Sequence, residues 1–335
     1  MIIVSIIKRL ASAAVTLFGV ALIVFILLRI VPGDPIAMMI APGSDAADIA
    51  LLRAKYGLDQ SLPVQFGVWI EAALIGDFGT SISLKRDVLE ILVERLPATL
   101  ELSLTALTLA LLIGGFLAVF GTLVRGKPAE AIIDATNGIL LAVPDFVWAL
   151  VLVLTLGVLL PVFPLSGRID PGQTIDFLTH FYLLESFVRM HLDVFWDVAA
   201  HMTMPALALS LPLAVVINRI LKEALMEAMV QDYVLLARLK GMSEIRLVTL
   251  EALRNALGPA LSVTGVQFTF LVGGTVIVER IFAFPGIGNM AIDAVINRDL
   301  PLIQGLVLVF GTIFIVINLA VDLITTALNP RLHHD

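Results

Sequence analysis

The chain has 335 residues, of which 59% are hydrophobic and 15% charged, and its formal net charge at pH 7 is −7. In soluble domains about a quarter of all residues are charged, so this composition predicts an integral membrane protein. The absence of cysteine excludes disulfides and thiolate metal sites. The surplus of hydrophobic residues indicates membrane lipid as the surroundings of the chain, and an acidic chain without a basic block argues against nucleic acid as a partner.

Several stretches of the chain are apolar over the roughly 20 residues that a helix needs to cross a bilayer. The predicted fold class is therefore all-α, a polytopic membrane protein with six transmembrane helices. Two prolines interrupt the fourth span, which is acceptable where neighbouring groups satisfy the freed carbonyls. The predicted spans are 9–30, 99–123, 132–160, 199–217, 257–279 and 302–326.

Orientation follows from the short turn 124–131, which carries Arg125 and Lys127. Basic residues in short loops are typical of the cytoplasmic side, and an even number of spans places both termini on one face. We therefore expect cytoplasmic termini. The first span is longer than a signal-peptide core and lacks a small-residue cleavage site after it, so we expect it to be retained.

The chain is expected to divide into residues 1–98, a first transmembrane helix plus a long outer segment, and residues 99–335, a five-helix core. The outer segment is interpreted as a packed cap or as a docking surface for an external partner. A second outer segment, 161–198, is acidic and amphipathic. Asp197 and His201 would share a helix face there. A metal site needs at least three converging ligands, and the sequence does not offer a third on this face, so no metal site is predicted.

Charge inside a membrane span is costly and commonly faces a cavity or a partner. Asp145 in the third span either lines a pathway or makes local hydrogen bonds, and Asp322 in the sixth is expected to pair near the inner end. Polar side chains of the fifth span favour either close helix packing or the wall of a pathway. No catalytic set converges. The candidate residues of a translocation path are Asp145, Ser262, Gln267 and Thr269.

One nucleotide-binding motif has to be rejected. Residues 121–127 fit the start of a phosphate-binding P-loop, but Pro128 stands where Ser or Thr should reach magnesium. The run also ends a membrane span instead of joining a strand to a helix. The chain is expected to bind no nucleotide, so any ATP must be bound by another polypeptide.

The stretch 218–258 is a charged loop between two apolar spans and holds six of the 21 basic residues. Within it, Asp232 is predicted to be the N-cap and Gly241 the C′ residue of a short helix over 233–240. Arg238 and Lys240 suit the negative end of that helix. Ser243 can cap the next helix, which leads into the fifth span.

An apolar stripe runs along this short helix at helical spacing. It consists of Val230, Tyr233, Val234 and Ala237. A helix of this kind lies in the membrane interface or docks into a groove of a partner protein. Because the stripe is narrow and lacks Trp and Phe, the partner is favoured.

Two runs in this loop carry a resemblance: Tyr233-Val-x-x-Ala-Arg-x-Lys-Gly241 and Ala252-Leu-Arg-Asn-Ala-Leu-x-Pro259. They are similar to the cytoplasmic coupling loop of binding-protein-dependent ABC importer permeases of the dipeptide, oligopeptide and nickel type. Further matching motifs lie at 29–35, 76–81, 95–101, 278–288, 298–301 and 328–331. The broader family's Glu-Ala-Ala triplet is not kept, since Leu235, Leu236 and Ala237 occupy its places.

The resemblance implies the first permease of a homologous pair in a bacterial or archaeal cytoplasmic membrane. Two cytosolic ATPase subunits would bind ATP and Mg, each receiving one coupling helix, while this chain binds no cofactor. An external solute-binding protein would deliver the solute. The implied coupling residues are Asp232, Tyr233, Ala237, Arg238, Lys240 and Gly241.

The cargo stays open at this point. Short peptides lead, with nickel chelates, glutathione-like compounds, opines and oligosaccharides as alternatives. A self-sufficient secondary transporter or channel is the rival class, and it would be expected to show inverted repeats.

Overall fold

The computed structural model describes residues 2–30, 59–173 and 176–328. Within these ranges every regular element is helical, and the β-pairing is limited to an isolated antiparallel bridge between Thr80 and Asp87. The all-α prediction is confirmed. The motifs at 29–35 and 328–331 and the side chain of Asp322 lie wholly or partly outside the described residues, so their interpretation stays a prediction.

The helices are numbered in chain order, and two of them are extended by π-helical turns. Val153–Leu159 continues α5, and Leu247–Ala252 joins α9 to α10. The helices are α1 (Ile2–Ile30), α2 (Leu62–Leu74), α3 (Val88–Leu123), α4 (Pro128–Ala142), α5 (Asp145–Leu152), α6 (Tyr182–Val188), α7 (Leu192–Ala228), α8 (Asp232–Leu239), α9 (Glu244–Arg246), α10 (Leu253–Ile281), α11 (Ile287–Ile296) and α12 (Leu300–Leu328).

Five unbroken helical stretches of the described chain are long and apolar enough to cross a membrane. Each contains most or all of one predicted span, and prolines do not end them: Pro97 lies inside α3, and Pro205 and Pro212 lie inside α7. Helices therefore continue well past the predicted span ends. The stretches are Ala11–Ile30, Val88–Leu123, Leu192–Met229, Glu244–Ile281 and Leu300–Val321.

The remaining predicted span, 132–160, is not one continuous helix. Pro128–Ala142 and Asp145–Leu159 meet at a bend of 100°. Val143 is extended (φ −96°, ψ 122°) because a residue before proline is driven out of the helical region, and Pro144 has no N–H to continue the ladder. The predicted third span is therefore a bent pair of helices. The described chain has five candidate spans, or six if the bent pair counts as one.

The chain forms two compact units: Met1–Leu96 with Asn289–Ile315, and Pro97–Gly288 with Val316–Asp335. In the first unit, buried Asp299 accepts hydrogen bonds from the hydroxyls of Ser81 (2.6 Å) and Ser83 (2.7 Å). Burial opposes ionisation, but these hydrogen bonds hold the pKa of Asp299 below its ordinary value. This carboxylate thus joins the sequence motifs at 76–81 and 298–301.

In the second unit, small residues let helices α3 and α7 pack closely. Ala106 and Ala110 of α3 and Ala206 of α7 are fully buried in one apolar core. A Cβ added to Gly114 would lie 2.5 Å from the carbonyl oxygen of Ala214, so no larger residue fits there. Membrane helices commonly achieve close packing in this way.

Candidate functional site

Helix α8 (Asp232–Leu239) lies where the sequence predicts a capped helix in the loop 218–258. Its N-cap is Gln231, whose backbone is extended (φ −75°, ψ 152°), and no side-chain hydrogen bond caps it within the described residues. The prediction that Asp232 is the N-cap is wrong by one residue, because the extended residue that ends the preceding turn is Gln231. Asp232 instead lies in the first turn, where its charge complements the helix dipole.

The C-terminal end of α8 is closed as predicted, with Gly241 at the C′ position. Gly241 has φ +84°. Its N–H donates to the carbonyl of Arg238 (3.0 Å), and the N–H of Met242 donates to that of Ala237 (3.3 Å). These two bonds form a Schellman motif. A Cβ at Gly241 would contact nothing within 4 Å, so the backbone conformation alone explains the glycine.

The apolar stripe of α8 is divided between the interior and the surface. Val234 and Ala237 are buried and pack against Leu247, the first residue of the π-helical turn, with Met229 alongside. Val230 is 75% exposed. The inner half of the stripe therefore packs within the chain, and docking of α8 to a partner stays a prediction.

A different apolar patch of α8 is exposed. Leu235, Leu236 and Leu239 are 51%, 53% and 78% exposed. In the described chain they are more exposed than the other apolar side chains of this helix, and two of them replace the first two residues of the family triplet. Clustered exposed apolar side chains are typical of an interaction surface.

The basic residues at the end of α8 have separate roles. Arg238 pairs with Glu244 through two hydrogen bonds, Nε to Oε1 at 2.9 Å and Nη2 to Oε2 at 3.1 Å. The pair ties α8 to the start of α9. Lys240 is the exposed C-cap residue, and Ser243 is the N-cap of α9 as predicted.

A charged cluster at the base of this loop was not predicted. Lys222 of α7 is 14% exposed and pairs with Glu130 (2.9 Å) and Asp134 (3.2 Å) of α4. The N–H of Gly126 donates to Glu130 at 2.7 Å. The P-loop-like run 121–127 therefore ends in a turn at the start of α4. The Glu130 carboxylate that accepts the N–H of this turn also pairs with Lys222. Lys222 and Asp134 lie 88 positions apart, so sequence spacing gives no signal for this contact.

Two of the four candidate path residues line one cavity. Asp145 at the start of α5 and Gln267 of α10 face a space of about 270 Å³, walled mainly by apolar residues of α7 and α10. The carboxylate of Asp145 accepts the N–H of Phe146 at 2.7 Å. The break at Val143-Pro144 is what brings the carboxylate to this cavity.

The other two candidates do not line that cavity. The hydroxyl of Ser262 donates to the carbonyl of Gly258 (3.1 Å), and that of Thr269 donates to the carbonyl of Gly265 (3.3 Å). Both side chains are therefore satisfied by their own helix. The structure brings Asp145 and Gln267 together and leaves Ser262 and Thr269 apart from them.

Glu279, near the end of α10, explains two of the sequence motifs. It is fully buried, and the hydroxyl of Thr99 donates to its carboxylate at 2.6 Å while accepting the N–H of Ile287 at 2.9 Å. A Cβ at Gly286 or Gly288 would overlap the Glu279 side chain. The motifs at 95–101 and 278–288 therefore meet around one carboxylate.

The segment 165–191 is held by a second group of buried charges. Arg168 is 4% exposed and donates to Glu101 (2.6 Å) and to the carbonyl of His180 (2.8 Å), with its guanidinium over the ring of Tyr182. Glu101 also accepts the N–H of Leu184 at 3.1 Å. Burial lowers the pKa of Arg168, and the carboxylate of Glu101 opposes that effect.

Glu185 fixes the same segment from the other side. It is 7% exposed and accepts the N–H of Leu178 (2.9 Å), the hydroxyl of Thr179 (2.7 Å) and Arg189 (2.9 Å). Burial favours the protonated acid, but these hydrogen bonds outweigh it and lower the pKa of Glu185 to about 2. On the following helix α7, Asp197 and His201 share a face as predicted, with His201 Nδ1 3.5 Å from Asp197 Oδ1.

Family models match nearly the whole chain. The model described as "Binding-protein-dependent transport system inner membrane component" matches residues 110–334. The model described as "Binding-prot-dependent transport system membrane comp, N-term" matches residues 2–103.

Individual proteins give the same picture. The chain is 36% identical over 329 residues to the "Di/tripeptide transport system permease protein DppB" of Pseudomonas aeruginosa (strain UCBPP-PA14), covering 98% of each protein. It is 35% identical over 329 residues to the "Glutathione transport system permease protein GsiC" of Salmonella choleraesuis (strain SC-B67), again covering 98% of each. A solved inward-facing MetNI methionine ABC transporter matches with a TM-score of 0.53 at 18% identity, covering 72% of this chain and 97% of that chain. This last match concerns the fold alone.

Proposed function

Because the chain belongs to the family of binding-protein-dependent transport system inner membrane components, we propose that it imports short peptides as one of the two permease subunits of an ABC importer. The observation that carries the peptide cargo is similarity over 98% of the chain to a permease named for di/tripeptides. A permease named for glutathione, itself a small peptide derivative, is almost equally similar.

The family gives the chain its general role as a multi-pass permease subunit whose ATP hydrolysis resides on separate subunits. The finer assembly is our proposal: a second homologous permease, two cytosolic ATPases that bind ATP and Mg, and an external solute-binding protein. We place the chain in a bacterial or archaeal cytoplasmic membrane with its termini and helix α8 on the cytosolic side. The basic turn with Arg125 and Lys127 supports that orientation.

Helix α8 is proposed as the element that receives movement from an ATPase. Leu235, Leu236 and Leu239 supply an exposed apolar surface, and Tyr233 stands at its edge. Asp232 stabilises the first turn and Gly241 closes the last one. Val234 and Ala237 transmit displacement of α8 to Leu247, hence to α10, through direct packing. The ion pair of Arg238 with Glu244 adds a second connection to α9.

The translocation path is proposed to run past the break between α4 and α5. Broken helices commonly form solute sites in transporters, and Asp145 and Gln267 face a cavity at the break between α4 and α5. Ser262 and Thr269 remain predicted path residues on the same helix as Gln267.

The test measures solute uptake by the complete complex. The chain is purified together with its proposed partner subunits and reconstituted in proteoliposomes. Radiolabelled dialanine should enter only with the binding protein outside and ATP inside, and uptake should stop when ATP is replaced by a non-hydrolysable analogue. A self-sufficient transporter predicts the reverse: uptake by this chain alone, driven by an ion gradient and indifferent to ATP.

A further inference from the structure

The cavity at the α4–α5 break contains polar groups that the rest of the described chain leaves unsatisfied. Within the described residues, the carboxylate of Asp145 receives a single hydrogen bond, from the N–H of Phe146. The side-chain amide of Gln267 makes none of the hydrogen bonds found in the described part of the chain. Both side chains are partly exposed, so their hydrogen-bonding capacity is open to a molecule in the cavity.

Neighbouring polar residues of α10 behave differently. Ser262, Thr264 and Thr269 each donate to a carbonyl four residues earlier in their own helix. Helix packing therefore accounts for them without a ligand. Asp145 and Gln267, by contrast, have hydrogen-bonding capacity left over and line a space of about 270 Å³ that is open to water or a polar solute.

The charge of this cavity is one-sided. Among the described residues, its lining includes one carboxylate and no Lys, Arg or His. Leu209, Leu213 and Phe270 provide apolar walls around Asp145. Because a unit charge interacts strongly in a low-dielectric setting, the cavity attracts a cationic group and repels an anionic one.

The lining also discriminates between kinds of cation. Calcium requires six to eight oxygen ligands, and magnesium requires near-octahedral oxygen coordination. Of the described lining residues, only Asp145 and Gln267 offer side-chain oxygens. A primary ammonium needs just a few acceptors, and the apolar walls suit the carbon atoms attached to it.

We propose that this cavity is a transient subsite for the α-ammonium group of a peptide in transit. Asp145 is its counter-ion, and the side-chain amide oxygen of Gln267 is a second acceptor. The proposal rests on the proposed function of peptide import. One charge and one amide bind weakly, which suits a path because binding must be favourable enough to enter and weak enough to leave.

Reactivity of an introduced cysteine tests the charge preference without depending on cargo. The chain has no cysteine, so Gln267→Cys introduces a unique thiol in this subunit, and the complex with unaltered Gln267 measures the background labelling of the other subunits. We expect a methanethiosulfonate carrying trimethylammonium to react about tenfold faster than one carrying sulfonate, after correction for their reactivity with free thiol. Adding Asp145→Asn should abolish this preference, and Asp145→Glu should keep it.

Asp193→Asn is the matched control, since it removes one negative charge from an exposed position of α7 outside the cavity. It should leave the preference unchanged. Asn at 145 still offers an acceptor to the N–H of Phe146, so the start of α5 is preserved. If that variant nevertheless fails to assemble, the preference measured in Gln267→Cys with Asp145 intact decides alone.

Transport supplies the second readout. With native Gln267, Asp145→Asn should slow dialanine uptake roughly tenfold, about 1.4 kcal/mol, while ATP hydrolysis stimulated by loaded binding protein persists. Cation preference without peptide uptake in the unaltered complex would contradict the proposed function but not a cationic subsite. Normal peptide uptake with no cation preference, or with Asp145→Asn transporting at full rate, would overturn the subsite.

Discussion

The segment 165–191 precedes the long helix α7 in the chain and the short helix α8 follows it. The two regions are held in place in opposite ways. The former is fixed by buried charges, with Arg168, Glu101 and Glu185 all below 10% exposure. Helix α8 is held by two buried apolar side chains and the exposed pair of Arg238 with Glu244.

The difference is energetic. Breaking a desolvated charge pair leaves an uncompensated buried charge, so the segment 165–191 has few alternatives to its present position. Helix α8 exposes its leucine side chains, so it loses little buried apolar contact when its surroundings change. An element that must move with a partner is expected to be held in the second way.

The largest effect should follow removal of the buried cation. Arg168→Met leaves Glu101 unpaired in the interior and should cost about 3–5 kcal/mol of stability. Thermal unfolding of the purified chain in detergent measures the loss. Arg86→Met is the control, since Arg86 pairs with Glu90 and Glu94 on the surface; it should barely change Tm. Equal losses for the two variants would remove the distinction between the regions.

The inner half of α8 should be more sensitive than its outer half. Val234→Ala opens a void against Leu247 and should destabilise this loop by about 1–3 kcal/mol. Leu236→Ala removes exposed atoms and should stay within about 0.5 kcal/mol, yet reduce uptake by the complex. Hydrogen exchange across 229–252 reports the first effect and transport the second. Loss of protection in Leu236→Ala would contradict this division.

Closure of α8 depends on a left-handed residue. Gly241→Val should strain the backbone by roughly 1–2 kcal/mol or more and uncouple ATP hydrolysis from uptake with the complex still assembled. Gly241→Asn tolerates this conformation better and should retain most uptake. The ratio of solute imported to ATP hydrolysed is the measurement, and an unchanged ratio in Gly241→Val would refute the role of this cap.

The smallest effect at neutral pH concerns Glu185. Its folded pKa of about 2 lies below the ordinary value of 4.5. The ionised carboxylate therefore contributes stability that is present above about pH 4.5 and is lost as the pH falls toward 2. Exchange protection of 178–191, corrected for intrinsic rates, should hold from pH 7 to 5 and decline below. Glu185→Gln should lack this decline; a decline already between pH 7 and 5 would point to another group.

Local signals predicted a good part of this molecule. Apolar runs located the long helices, and the residues Gly241 and Ser243 marked helix ends correctly because turn geometry acts over a few residues. Prolines were harder to interpret. Pro205 is buried inside α7, whereas Pro144 ends a helix beside a cavity. Neighbouring helices decide whether a proline is accommodated, and the sequence does not display them.

Contacts between distant residues were beyond prediction for a related reason. Periodicity placed Val234 and Ala237 on one face of α8, but it could not show that Leu247 covers that face. Likewise, nothing in the local pattern linked Lys222 to Glu130, or Thr99 to Glu279. Such pairs depend on how whole helices pack. The resemblance of motifs signalled that some of these residues matter, and the structure supplies their contacts.

Crosslinking from the exposed face of α8 is the most direct test of the coupling role. Leu236→Cys, unique in this cysteine-free chain, should crosslink to an ATPase subunit in the assembled complex and resist lipid-soluble thiol reagents. Val234→Cys, at a fully buried position, should neither crosslink to the ATPase nor react with the thiol reagents. Labelling of Leu236→Cys from the lipid phase without any ATPase crosslink would place α8 in the membrane interface and contradict the account.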